Sequence, residues 1–199
     1  MPSRRSLLLV AAAAAALAAC QSAPVRQAPR PVDFSSFSPI VMNAAAVDFA
    51  DASRPTGGLV HVEQRASTPP VEAMRRWTAE RLQPAGRAGT VRVTVRDASI
   101  VEVPLPTTSG VKGYFTNDQA QRYDGRLEVE VAGEAPLAGG GSFRGTTKAV
   151  ATYTVTVPEN ISLADREATI SEVSRRLAEE INARLDAGIR KDLAPMVAR

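Results

Sequence analysis

Polar and apolar positions alternate most cleanly in the middle of the chain. In "TVRVTVRDASIVEVPLP", Val91, Val93 and Val95 share one parity, and Arg92, Thr94 and Arg96 share the other. Period two with β-branched residues predicts a half-buried strand. The odd parity resumes at Val101 and Val103, so one register is expected throughout. "RLEVEV" at 126–131 repeats the pattern, with Leu127, Val129 and Val131 inward and Arg126, Glu128 and Glu130 outward. Arg92 and Arg96 are then expected across from Glu128 and Glu130, in pairs of about 0.2–1 kcal/mol each. A third alternation carries Phe143, Ala149, Ala151, Tyr153, Val155 and Val157 on one parity. The glycine-rich stretch 136–142 is a turn between strands. These three strands form an antiparallel meander.

Period 3.6 takes over after Pro158. Ile170, Val173, Leu177, Ile181 and Leu185 step by three or four, the strongest amphipathic helix signal in the chain. Ser162 is its cap, with Asp165 three residues on. The helix is expected from Leu163 to about Ala187, with Gly188 breaking it before a short helix from Ile189 to Val197. A second helix opens after Thr68, read as its cap. Val71, Met74, Trp77 and Leu82 fall at helical spacing, and Pro84 and Gly86 close it. Ile40 to Phe49 reads as a first strand, and 59–65 as a short edge strand or extended connection. Strand, helix, three strands and helix predict an α+β two-layer sandwich, an antiparallel sheet with two helices on one face.

The amino terminus has another character. Two arginines precede an apolar run, Leu7 to Ala19, too short to span a bilayer as a helix. Leu17-Ala18-Ala19-Cys20 resembles the lipobox of bacterial lipoproteins. That resemblance implies cleavage between Ala19 and Cys20 and acylation of the Cys20 thiol. It accounts for the single cysteine, which lipid consumes. Gln21 follows, where Asp would retain an enteric lipoprotein in the inner membrane, so the outer membrane is favoured. Ser3-Arg4-Arg5-Ser6-Leu7-Leu8 resembles the twin-arginine export motif, although an ordinary charged leader accounts for the same residues. The organisation expected is a signal peptide at 1–19, a lipidated Cys20 with a Pro-rich tether over 20–38, and one α+β domain at 39–199.

Losing residues 1–19 removes Arg4 and Arg5 and leaves 22 basic against 21 acidic side chains. So neutral a chain offers no electrostatic case for nucleic acid. Candidate chemistry is thin. His61 is the only histidine, and neither a G-x-S-x-G nor a P-loop occurs. Of the carboxylate pairs, Asp48 and Asp51 flank a strand end, and Glu179 and Glu180 lie on the polar side of the helix, usually a solvated face. Arg175–Glu179 and Arg176–Glu180 are i, i+4 pairs. No catalytic residue, metal site or cofactor is expected. An enzyme would need a cleft gathering Asp48, His61 and a loop acid.

The stretch 107–125 is long for a hairpin connection and carries Tyr114, Phe115 and Tyr123 among Gly, Asn and Asp. The aromatics are binding anchors at a loop tip, or Tyr114 and Phe115 fold back onto the sheet as a lid on its core. The tether, the order of elements and the phrases "VRVTVRDASIVEV", "FRGTTKAVATYTV" and "ISEVSRRLAEEINARL" together resemble the YajG-type envelope lipoproteins and the auxiliary lipoproteins of ABC-type lipid transporters. The resemblance implies a non-enzymatic, periplasm-facing role. The membrane, through the anchor, and an envelope protein complex are then the expected partners. A carrier holding an acyl chain between helices and sheet is the second reading.

Overall fold

The computed structural model describes residues 31–106, 119–137 and 139–198. Its strands are β1 Ile40–Met42, β2 Ala46–Asp51, β3 Val60–His61, β4 Leu82–Pro84, β5 Thr90–Pro104, β6 Gln119–Pro136 and β7 Ser142–Pro158. Its helices are α1 Pro70–Arg81 and α2 Leu163–Asp192. The main sheet runs β2-β5-β6-β7, and β3 lies on the same edge of β5 as β2. β5, β6 and β7 are the antiparallel meander, while β2 is parallel to β5. Both helices cover one face, giving an α+β two-layer sandwich.

The apolar parity decides that face. Val91, Val93, Val95, Leu127, Val129, Val131, Ala149 and Ala151 are buried beneath α1 and α2. The single register expected for β5 fails at Arg96. The pairing with β6 skips that residue, with Val95 opposite Val129 and Asp97 opposite Glu128. One extra residue reverses every side chain beyond it. Ala98 and Ile100 therefore point inward, and Val101 and Val103 are only half-buried. The bulge delivers Arg96 to Glu130, 3.0 Å away. Arg92 reaches Asp48 at 3.5 Å instead of a glutamate of β6. Glu128 is paired with Arg126 at 2.7 Å.

On this wet face Glu130 also meets Lys148 at 3.1 Å. The hydrogen bond from Lys148, helped by Arg96, holds its carboxyl below the ordinary value. A depressed carboxyl contributes stability above its unfolded-state pKa and loses it as pH falls through the folded-state one. Glu130→Gln is expected to flatten the acid limb of the stability curve below about pH 4.5. Urea titrations at pH 7 and pH 3 check this. An unchanged difference between the two would remove the assignment.

The expected first strand is two strands in different sheets. β1 pairs with β4, and β2 with β5. Between them Asn43 N–H turns aside to donate to Met196 O, and Ala45 N–H donates to Gly89 O. Leu82 is not in a helix, because α1 ends at Arg81 and Leu82 opens β4. Thr68 does not cap α1. Pro69 occupies the cap position and Pro70 the first turn, where a missing N–H costs nothing. The backbone carbonyl of Thr68 instead accepts from Ser174 Oγ at 2.6 Å.

Ser162 does cap α2, its Oγ accepting from Asp165 N–H at 3.1 Å. Gly188 does not break α2, which continues to Asp192 before a 3-10 turn at Ala194–Met196. A Cβ at Gly188 would lie 2.3 Å from Thr147 Oγ1. The glycine lets helix and strand approach, and neighbouring helical hydrogen bonds outweigh its propensity cost of about 1 kcal/mol. Val32 and Phe34, in the stretch read as tether, are buried in the core.

Candidate binding groove

β7 is an edge of the sheet, and α2 starts immediately after the turn that follows it. Between them lies an open groove of about 760 Å³, lined by Tyr153, Val155, Val157, Ile161, Ala168 and Thr169. It exists because the chain needs Pro158 to Ile161 to leave the sheet and reverse. The small Ala168 and Thr169 also leave the first turns of α2 standing off the strand. Tyr153, Val155 and Ile161 are half-buried at its wall. The charges on its rim are engaged. Glu172 is bonded to Arg175 and, at 2.9 Å, to Arg176. The bond from Arg175 holds the Glu172 carboxyl below its usual range, and Arg175 is raised in return. The groove offers apolar contact and no obvious chemistry.

A second polar feature joins α1 to α2 inside the domain. Arg81 is 2% exposed. Its Nε donates to Asn182 Oδ1 at 3.0 Å, and the same oxygen accepts from Trp77 Nε1 at 2.9 Å. Its Nη1 donates to Ser38 O, and its Nη2 pairs with Asp186 Oδ2. Phe37 lies over the guanidinium, 5.3 Å from ring centre to Cζ. Phe34 N–H donates to Glu80 Oε2 at 2.8 Å. The arrangement clamps residues 34–38 to the helices. Sequence reading missed it, although Asn182 and Asp186 interrupt the apolar stripe of α2 at i, i+4.

The anticipated site residues scatter. Ala19, Cys20, Tyr114 and Phe115 lie outside the described residues. Tyr123 is not on a loop. It belongs to β6, is fully buried, and stands opposite Glu102. Strand β6 begins at Gln119, because the inward parity of Leu127 and Val129 extends back through Gly125 to Tyr123. Burial raises the phenol pKa, and the Glu102 carboxylate adds to the rise. Among the described residues its hydroxyl finds no hydrogen-bond partner.

His61 sits on β3, with Nε2 3.1 Å from Thr56 O and Nδ1 3.5 Å from Glu63 Oε2. Glu63 Oε2 also accepts from Ile100 N–H at 3.2 Å. Asp48 is not near this pair. It flanks Arg92 on β5, whereas His61 flanks Val101, roughly 30 Å farther along the strand. Asp51 binds Ser53, accepting from its N–H at 2.9 Å and its Oγ at 2.6 Å. Glu179 pairs with Arg175 as expected, but Glu180 pairs with Arg184 and not with Arg176. Among the described residues no three His, Cys, Asp or Glu side chains gather to hold a metal ion. Nor is any helix there long and apolar enough to cross a membrane.

The fold that surrounds these features is a two-layer sandwich with a long-stranded meander. No family model matches the chain, and no curated protein matches its sequence. The chain has low-scoring similarity to several solved structures. One is a putative neuraminyllactose-binding hemagglutinin homologue from Helicobacter pylori, at 7% identity over 82% of this chain and 89% of that one, TM-score 0.38. Another is rare lipoprotein B from Shewanella oneidensis, at 13% identity over 71% and 94%, TM-score 0.32. A third is a DUF330 protein from Xanthomonas campestris, at 16% identity over 82% and 95%, TM-score 0.24.

Proposed function

We propose that this chain is a lipid-anchored protein of the bacterial envelope that acts through its surfaces and not by catalysis. The observation that carries the reading is Leu17-Ala18-Ala19-Cys20 at the end of a short apolar run, with Cys20 the only cysteine. Two or more acyl chains on that residue hold a protein stably at a bilayer. The domain then faces the periplasm, with the outer membrane favoured by Gln21. Its role is auxiliary to an envelope complex, of which a lipid transporter is the leading example. The carboxylates a catalytic cleft would need are engaged elsewhere: Asp48 with Arg92, Asp51 with Ser53, Glu63 with Ile100 N–H.

A closed apolar core supports surfaces over an internal ligand. Met74, Trp77, Leu127, Leu177, Ile181 and Leu185 are all fully buried between sheet and helices. The carrier reading rests on the groove beside β7, which is open and has an apolar wall of Tyr153, Val155, Val157 and Ile161.

Two measurements test the proposal. Cys20→Ala is expected to abolish incorporation of labelled palmitate. Persistent label in that variant, or none in the unaltered chain, removes the anchor. A mild-detergent pull-down of the full chain from its own membranes, read by mass spectrometry, addresses the role. Recovery of transporter or assembly subunits supports it. Recovery of the chain with a stoichiometric lipid in native mass spectrometry moves the assignment to the carrier.

A further inference from the structure

β7 ends the sheet with one edge unpaired among the described residues. The carbonyl of Val150 accepts from the Arg184 side chain, so it points away from β6. Alternate residues of a strand share that direction. Thr152, Thr154 and Thr156 therefore also turn their N–H and C=O groups outward. Natural edges are usually guarded by charge, proline or a bulge. Residues 149–157 hold no charged residue, no proline and no glycine. Their one guard is Arg184, on the Val150 carbonyl.

We infer that a second copy of this chain docks on this edge, β7 against β7 in antiparallel register about Thr152. The side chains are self-complementary in that register. Facing the helices, Tyr153 stands across from Ala151 of the second copy and Val155 from Ala149, large against small, while Val157 stands across from Thr147, alike in size. On the other face Thr152 meets its own equivalent, Val150 meets Thr154, and Lys148 meets Thr156, so no charge opposes a like charge. The groove at Tyr153 and Val155 lies directly beside the join. A contact of nine residues is about 30 Å long. Two layers thick, roughly 20 Å, it presents on the order of 600 Å² per partner, the boundary between transient and stable interfaces. Weak, concentration-dependent self-association is the expectation.

The register supplies its own test. Thr156 is exposed and would face Lys148 of the second copy. Sedimentation velocity of the full chain in detergent is expected to show a concentration-dependent dimer. Thr156→Lys opposes two like charges and weakens the dimer by roughly tenfold, while Thr156→Glu tightens it severalfold. Opposite responses at one exposed position cannot come from misfolding. Arg184→Ala frees the Val150 carbonyl and also tightens the dimer. A chain that stays monomeric throughout, or a dimer indifferent to both Thr156 variants, overturns the inference. A monomer in which Thr156→Lys releases a different co-purifying protein also overturns it, since the edge then serves another partner.

Discussion

Asp186→Ala is expected to destabilise the domain by about 2–4 kcal/mol, and to cost more than Arg81→Met. Arg81 is 2% exposed, and among the described residues Asp186 is the only carboxylate on its guanidinium. Removing Asp186 leaves a buried cation held by two neutral oxygens, Ser38 O and Asn182 Oδ1. Removing the cation is milder. Asp186 keeps Arg190 at 2.7 Å, and Asn182 Oδ1 keeps Trp77 Nε1. The methionine refills most of the aliphatic stem. The Asp186 side chain is 29% exposed, so solvent screens part of the loss, and the expected cost lies below that of a fully buried pair. Urea unfolding of both variants checks the order. Equal costs, or a larger cost for Arg81→Met, would show that the network stabilises by packing and not by charge.

That network marks where sequence reading stops. Alternation sufficed for β6 and β7, since an unbroken period of two places every residue once the first is placed. The cap of α2 was legible because Ser162 and Asp165 act within one turn. The register beyond Arg96, the helix at Gly188 and the burial of Tyr123 escape sequence reading for a shared reason. Each takes its role from a neighbour distant in sequence. Arg96 is the bulge because β6 supplies one residue fewer. Position 188 is a glycine because Thr147 comes within what would be a Cβ contact. Tyr123 is core because β6 runs on to meet Glu102. Nothing in the residues adjacent to Arg81 marks its side chain as buried. Only the packing of α1 on α2 brings Asn182 and Asp186 to it. The groove has no sequence signature at all, because its walls are ordinary core-type residues left half-covered at an edge.

Trp77→Ala is expected to have the largest effect of any single substitution in the domain, about 3–5 kcal/mol. Trp77 is fully buried and belongs to the same core as Met74, Leu177 and Ile181. Truncation removes its transfer free energy and leaves a void that two helices and a sheet cannot close. Trp77→Phe separates the ring from its hydrogen bond. Asn182 Oδ1 still accepts from Arg81 Nε at 3.0 Å, so no buried acceptor is orphaned. The cost of Trp77→Phe is then about 1–2 kcal/mol, mostly lost volume. Thermal and urea unfolding of both variants checks the spacing between them. If Trp77→Phe costs as much as Trp77→Ala, the indole N–H and not the packing holds α1 to α2. The alanine variant also bears on the carrier reading. An apolar void in a closed core stays dry and takes up a small apolar probe. Stabilisation of Trp77→Ala by benzene, with none for the unaltered chain, is the expected result for an interior that is full. Equal stabilisation of both would mean that the unaltered domain already has room for a ligand, and the carrier would displace the surface-acting reading.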